Sequence, residues 1–184
     1  MKINEIKTEY PWGEMEWTER TKAVADIIRK DQTSFVSVVD LGGGLGNLYK
    51  YLYDGTIYTS IDLKQWTDQT IVADFNKAEF PDIDIRIEPK YVVAQGVIEY
   101  IKRKGLFLKG IRKYGDTLIL TYRTWSPAQW DEQKKELHKL GVKTRISYDD
   151  LKLLLKKSGW KIEKTIRHMR SKQGVEKIFV CRKI

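Results

Sequence analysis

A glycine-rich segment between Asp40 and Gly46 is the part of the sequence whose residue types best suit ligand binding. Its glycines are Gly42, Gly43, Gly44 and Gly46, and the acid Asp40 precedes them. Glycine lets the chain turn through backbone angles closed to other residues, and it lets a ligand approach the backbone without a Cβ in the way. The apolar run before the segment predicts a buried strand, and the pattern after it predicts a helix with unpaired first N–H groups. Strand, glycine turn and helix together predict a binding site.

Further candidate site residues lie at the ends of the next three predicted strands. They are Asp62 with Leu63 at the end of the second strand, Asp74 with Phe75 after the third, and Gln95 after the fourth. An acid at a strand end beside glycines is more often functional than structural, which favours roles for Asp40 and Asp62. For Asp74, an ordinary turn role and a binding role have similar weight.

These side chains must be positioned by strands and helices that alternate along the chain. Predicted strands, each a short apolar or β-branched run, span 35–41, 56–63, 70–73, 91–94, 116–122, 160–166 and 176–182. Predicted helices span 17–29, 48–52, 97–104 and 106–113, and another runs from Ser147 to Gly159. The pattern predicts an α/β fold: a doubly wound, mostly parallel seven-stranded sheet with helices on both faces and a C-terminal antiparallel hairpin. Ligands of such sheets bind at the carboxyl ends of the strands.

The segment Asp40-x-Gly42-x-Gly44-x-Gly46 resembles the first motif of class I S-adenosylmethionine-dependent methyltransferases, and the resemblance extends from about Val36 onward. It implies that the glycine turn wraps the methionine part of S-adenosylmethionine. It also implies that Asp40 holds the cofactor's amino group, directly or through water. Asp62 is implied to accept hydrogen bonds from both ribose hydroxyls, a role that suits two carboxylate oxygens.

The resemblance extends to the next two strand ends. It implies that Asp74 accepts from the exocyclic amine of adenine and that Phe75 packs on the ring, and Leu63 belongs to the same expected cofactor site. It further implies that Gln95 lies beside the transferred methyl group. Lys90 departs from the family, where an acid usually precedes this strand.

Other ligand classes fit the sequence less well. A nicotinamide-binding turn would need a third glycine where Asn47 stands, and no P-loop lysine motif occurs. The two histidines, His138 and His168, lack nearby cysteines or clustered acids, so no metal is expected. The sequence also lacks the Asn-Pro-Pro-Tyr or Asp-Pro-Pro-Tyr segment that the family uses for adenine or other planar amines, and the Pro-Cys nucleophile of its cytosine-C5 enzymes. Their absence favours a small-molecule or saccharide acceptor.

The catalytic residue is left unassigned by the sequence. Glu99 and Tyr100 are candidates, because they follow the fourth strand near the proposed methyl position, although helix packing and solvation explain them at least as well. Trp12, Tyr122 and Trp125 are candidates for contacts with the acceptor, because aromatic side chains can stack on a ring or sugar.

Composition sets the remaining expectations. The 184 residues predict one domain over 1–184, with an N-terminal lid and helix region at 1–34 and a core at 35–184. No apolar stretch of membrane-spanning or signal-peptide type is seen, which predicts a cytoplasmic protein without a membrane partner. The net charge of +9 suits an anionic partner, so nucleic acid is possible but not favoured. An RNA-directed methyltransferase and an inactive, scaffolding member of the fold are the alternatives.

Overall fold

The computed structural model describes residues 14–30, 35–84, 90–124, 127–139, 141–142, 145–171 and 174–184. The helices are α1 (Glu14–Lys30), α2 (Lys104–Gly110), α3 (Pro127–Lys139) and α4 (Tyr148–Lys157). The strands are β1 (Ser37–Leu41), β2 (Ile57–Asp62), β3 (Ile71–Val72), β4 (Lys90–Gln95), β5 (Thr117–Thr124), β6 (Trp160–Ser171) and β7 (Gly174–Lys183). Short 3-10 turns span Tyr49–Tyr51, Phe75–Lys77, Ile98–Tyr100 and Ile111–Tyr114.

The strands form one mixed sheet in the order β3-β2-β1-β4-β5-β7-β6. The five strands from β3 to β5 in that order are mutually parallel. β7 runs antiparallel between β5 and β6. The predicted seven-stranded sheet and the C-terminal antiparallel hairpin are therefore confirmed.

Helices pack on the two faces of this sheet because successive strand residues point to opposite sides. Apolar residues of α2 and α4 pack on one face, in a cluster with Val39, Val92 and Leu118. Apolar residues of α1 pack on the other face, in a cluster with Val38 and Val93. The α1 face is the one that carries the side chains of the candidate site, because Asp40 and Gln95 follow Val38 and Val93 by two residues.

The connections are shorter and less helical than the sequence predicts. The expected helices over 48–52 and 97–104 are single 3-10 turns. In the first of these segments only Leu48 is fully buried, whereas Tyr51 and Leu52 are half-buried, so there is too little buried apolar surface to stabilise a regular helix by packing. α3 was not predicted, and its half-buried Trp130 and Leu137 pack against the core. No helix in the described part of the chain is long and apolar enough to cross a membrane.

Candidate functional site

The carboxyl ends of β1, β2 and β4 bring the start of the glycine turn, Asp62 and Gln95 to one edge of the sheet. Leu41, the last residue of β1, lies beside Ile61 of β2 and Ala94 of β4. The glycine turn therefore begins between Asp62 and Gln95, which each follow one of those neighbours. This is the arrangement that parallel strands predict for residues at their carboxyl ends.

The backbone of the glycine turn borders open space at one position, Gly44. Gly42, Gly44 and Gly46 have φ angles of 68°, 52° and 71°, which favour glycine. A Cβ on Gly43 would lie 2.6 Å from Ser60 Oγ, so the turn is tightly packed there. A Cβ on Gly44 would meet no atom within 4 Å. The backbone at Gly44 thus borders open space into which a ligand can fit.

Asp62 is held against this turn by backbone hydrogen bonds. The Gly44 N–H donates to Asp62 Oδ2 at 3.0 Å, and the Lys64 N–H donates to Oδ1 at 3.3 Å. Each carboxylate oxygen can accept a further hydrogen bond. Leu45 and Leu63 are exposed apolar side chains in the segments on either side of this contact. The arrangement offers a fixed carboxylate and apolar surface to a ligand with hydroxyl donors.

Asp40 occupies a buried position beneath the turn. Its side chain accepts a hydrogen bond of 2.7 Å from the Tyr58 hydroxyl. Burial raises the pKa of Asp40 to about 7, the nearby Asp62 charge adds to this, and the Tyr58 hydrogen bond opposes it. Tyr58 in turn packs against the Tyr49 ring, with 5.4 Å between ring centroids. Tyr58 was not predicted as a site residue. Tyr58, Ser60 and Asp62 follow one another at two-residue intervals along β2, so all three lie on one face of the sheet.

Gln95 has an unsatisfied polar atom at the end of β4. Its Oε1 is buried and has no hydrogen-bond partner among the described residues. The following residue is fixed, because the Gly96 N–H donates to Thr121 Oγ1 at 2.9 Å. A buried amide oxygen without a donor costs free energy, so a ligand donor at this position would stabilise it.

Asp74 and Phe75 lie in a turn and in the core, respectively. Asp74 Oδ1 accepts from the Asn76 N–H at 2.9 Å and so caps the short 3-10 turn that follows. Phe75 is only 8% exposed and packs on the rings of Phe80 and Phe107. These contacts give both residues a structural role, and their part in adenine binding stays a prediction.

Among the candidate catalytic and acceptor-binding residues, Glu99 is buried in the 3-10 turn that follows β4. Its Oε1 accepts from the Arg123 N–H at 3.3 Å, next to the end of β5. Tyr100 is half-buried, and its carbonyl accepts from Asn76 Nδ2 at 3.3 Å.

The structure gives Tyr122 a structural role. This side chain is fully buried, and its hydroxyl accepts from the Ile146 N–H at 3.0 Å and donates to the Ile146 carbonyl at 2.9 Å. Tyr122 therefore anchors the segment before α4, and its expected contact with the acceptor stays a prediction. Trp12 and Trp125 lie outside the described residues.

A buried charge cluster beside Glu99 was not predicted from the sequence. Arg20 of α1 and Glu176 of β7 form an ion pair of 2.8 Å, and both side chains are about 95% buried. Arg123 of β5 lies opposite Glu176 in the sheet, with its Nη2 4.0 Å from Glu176 Oε2. Burial lowers the pKa of Arg20, and Glu176 opposes this shift. No sequence signal joins Arg20 and Glu176, because 156 positions separate them.

Metal ligation has no support in the described part of the chain, where no group of three or more His, Cys, Asp or Glu side chains could hold a metal ion. The expectation of a metal-free site stays a prediction.

Comparison with known proteins identifies the fold. No protein-family model matches the sequence, and neither does any curated protein. The structure is similar to magnesium protoporphyrin IX methyltransferase from Synechocystis PCC 6803 with bound S-adenosylhomocysteine, with a TM-score of 0.66 and 14% identity over 92% of this chain and 84% of the other.

Two further solved structures have the same architecture. One is an S-adenosylmethionine-dependent methyltransferase from Clostridium acetobutylicum, with a TM-score of 0.60 and 11% identity over 94% of this chain and 92% of the other. Another is 1,6-didemethyltoxoflavin-N1-methyltransferase from Burkholderia thailandensis, with a TM-score of 0.64 and 14% identity over 90% of this chain and 77% of the other. The chain thus has the class I methyltransferase fold, which confirms the resemblance seen in the sequence at the level of fold.

Proposed function

We propose that this chain is an S-adenosylmethionine-dependent methyltransferase acting on a small-molecule or saccharide acceptor. The observation that carries the proposal is the hydrogen bond from the Gly44 N–H to Asp62 Oδ2. It joins the glycine turn to the acid at the end of the neighbouring strand, beside open space at Gly44. The neighbours of the same fold that bind S-adenosylmethionine or S-adenosylhomocysteine support the choice of ligand.

The residues present fit this cofactor. When bound, it supplies an activated methyl group on a sulfonium sulfur. Asp62 would accept hydrogen bonds from the ribose hydroxyls with the lone pairs left over by Gly44 and Lys64. Asp40 would face the amino group of the methionine part, and the unpaired Oε1 of Gln95 would accept a hydrogen bond near the methyl group.

Alignment of the acceptor is the main catalytic contribution expected of the protein. Holding two reactants in line can lower the barrier by roughly 7–11 kcal/mol in favourable cases. Several neighbours carry names of small-molecule methyltransferases, which supports a small acceptor. We also propose that residues 1–184 form one doubly wound domain, with residues 1–34 as its lid and helix region. The protein is proposed to be cytoplasmic.

The test is calorimetric binding of S-adenosylhomocysteine to the wild type, to Asp62→Asn and to Asp68→Asn. Asp68 is an exposed acid in the loop after β2, so its variant is the matched control. We expect Asp62→Asn to weaken binding at least tenfold, because a charge-assisted hydrogen bond contributes about 1.5–3 kcal/mol. The control should bind like the wild type. Absence of wild-type binding at millimolar ligand would refute the proposal.

Two further measurements separate the alternatives. Binding without methyl transfer to any compound of a phenol, amine, carboxylate and sugar panel would favour the scaffolding alternative. RNA association that weakens steeply between 50 and 200 mM salt, together with methyl transfer to that RNA, would favour the RNA-directed alternative, since phosphate contacts release counterions.

A further inference from the structure

The Glu99 carboxyl group is buried, and its two oxygens differ in their hydrogen bonding among the described residues. The residue is 6% exposed, and its Oε1 accepts from the Arg123 N–H at 3.3 Å. Its Oε2 is buried with no hydrogen-bond partner in the described part of the chain. Leaving a buried polar atom unpaired costs about 1–3 kcal/mol, and more for a charged group. Native proteins keep few such atoms, and each one calls for an explanation such as a catalytic role or a bound water or ion.

The surroundings of Glu99 fix its position from several elements. Arg20 of α1 and Glu176 of β7 both act on its charge, and Arg123 of β5 holds Oε1. The Glu99 charge also acts on two groups of other elements: it favours a higher pKa for Lys104 of α2 and for Tyr122 of β5. Burial raises the pKa of Glu99, and the backbone N–H groups of Glu99 and Arg123 oppose this shift, as does the charge of Arg20.

Gln95 lies in the same segment and lacks the same kind of partner. Its Oε1 is a buried hydrogen-bond acceptor at the carboxyl end of β4, and Glu99 follows in the 3-10 turn after that strand. Both unpaired atoms are oxygens. Gln95 Oε1 and an ionised Glu99 Oε2 can be satisfied only by a hydrogen-bond donor. A ligand that bears O–H or N–H groups supplies such donors, whereas an ether or a carboxylate does not.

We propose that Glu99 Oε2 binds the O–H or N–H group of the methyl acceptor and takes its proton during transfer; this inference rests on the proposed methyltransferase function. The acceptor's oxygen or nitrogen lone pair forms the bond to the methyl carbon. The carbon–sulfur bond breaks, and its electron pair stays on sulfur, which becomes a neutral thioether. The acceptor's proton passes to the Glu99 carboxylate, so charge and atoms balance. Proton transfer to a positioned side chain contributes a factor of about 100 to 10,000 to the rate.

The experiment uses phenol as the donor probe and anisole as its O-methylated counterpart. Protein labelled with 13C in the glutamate carboxyl groups is saturated with S-adenosylhomocysteine, and the Glu99 resonance, assigned through bonds, is followed during titration with each probe. Phenol should move this resonance in a saturable manner, and anisole should not. Calorimetry of phenol on the same complex should show at least a tenfold loss of affinity in Glu99→Gln, with S-adenosylhomocysteine affinity within twofold of wild type.

Glu132→Gln is the matched control, because Glu132 is an exposed glutamate on α3. Glu99→Gln keeps an oxygen for the Arg123 N–H, and its thermal unfolding is measured to establish that the variant is folded. The wild-type comparison of phenol with anisole stands even if that variant fails to fold. A Glu99 resonance that ignores phenol in the saturated complex overturns the role of Glu99 and leaves the proposed function intact. Failure of the wild type to bind S-adenosylhomocysteine overturns both.

Discussion

Raising the pH from 5 to 8 should destabilise the folded chain through Asp40. This carboxyl group is 2% exposed, and burial raises its pKa from an ordinary value of 3.8 to about 7. Between those two pKa values the folded chain keeps a proton on Asp40 that the unfolded chain has released. Stability attributable to this group is therefore present at low pH and is lost as the pH rises toward 7.

The size of the effect follows from the width of that window. One pKa unit corresponds to about 1.36 kcal/mol. From pH 5 to pH 7 the unfolded carboxyl is already ionised while the folded one is not, so Asp40 alone should remove roughly 2–3 kcal/mol of unfolding free energy by pH 8. Asp40→Asn should lack this loss, because the amide does not ionise and can still accept from the Tyr58 hydroxyl.

The assay is urea unfolding at pH 5, 6, 7 and 8 for the wild type, Asp40→Asn and Asp54→Asn. Asp54 is an exposed acid in the turn before β2 and serves as the control. Glu99, which among the described residues is the other buried acid with a raised pKa, is present in all three proteins, so its contribution cancels in the comparison. The reasoning is refuted if the stability curves of the wild type and Asp40→Asn run parallel from pH 5 to pH 8.

Three further substitutions test the glycine turn, the buried ion pair and the tyrosine anchor. Gly44→Ala should cost only about 1–2 kcal/mol of stability, because its φ is strained while its Cβ meets open space, yet S-adenosylhomocysteine affinity should fall at least tenfold by calorimetry. Arg20→Met should lower the free energy of unfolding in urea by about 3–5 kcal/mol, because it leaves Glu176 inadequately paired. Adding Glu176→Leu should restore most of that stability. A loss below about 1 kcal/mol in Arg20→Met alone would contradict this account. Tyr122→Phe should cost about 1–3 kcal/mol and speed hydrogen exchange at the Ile146 amide, and an unchanged exchange rate would argue against the anchor.

The sequence predicted the elements that have strong local signals. The apolar run before the glycines predicted β1, and the apolar spacing in 17–29 predicted α1, because burial of a periodic face stabilises each of them. The same holds for the C-terminal hairpin. The helix over 48–52 was wrong because only Leu48 of its candidate face is fully buried.

For the site, the sequence by itself determined the acid and glycine turn and the acids at strand ends, since these depend on local backbone needs and strand order. Only the tertiary structure shows which of the candidate side chains are buried and which are exposed. It buried Tyr122 and Phe75 in the core, and it placed Glu99 beside Arg20 and Glu176, which come from distant parts of the chain. Such contacts have no sequence signature, because burial and charge pairing across a sheet depend on packing of elements and not on residue spacing along one of them.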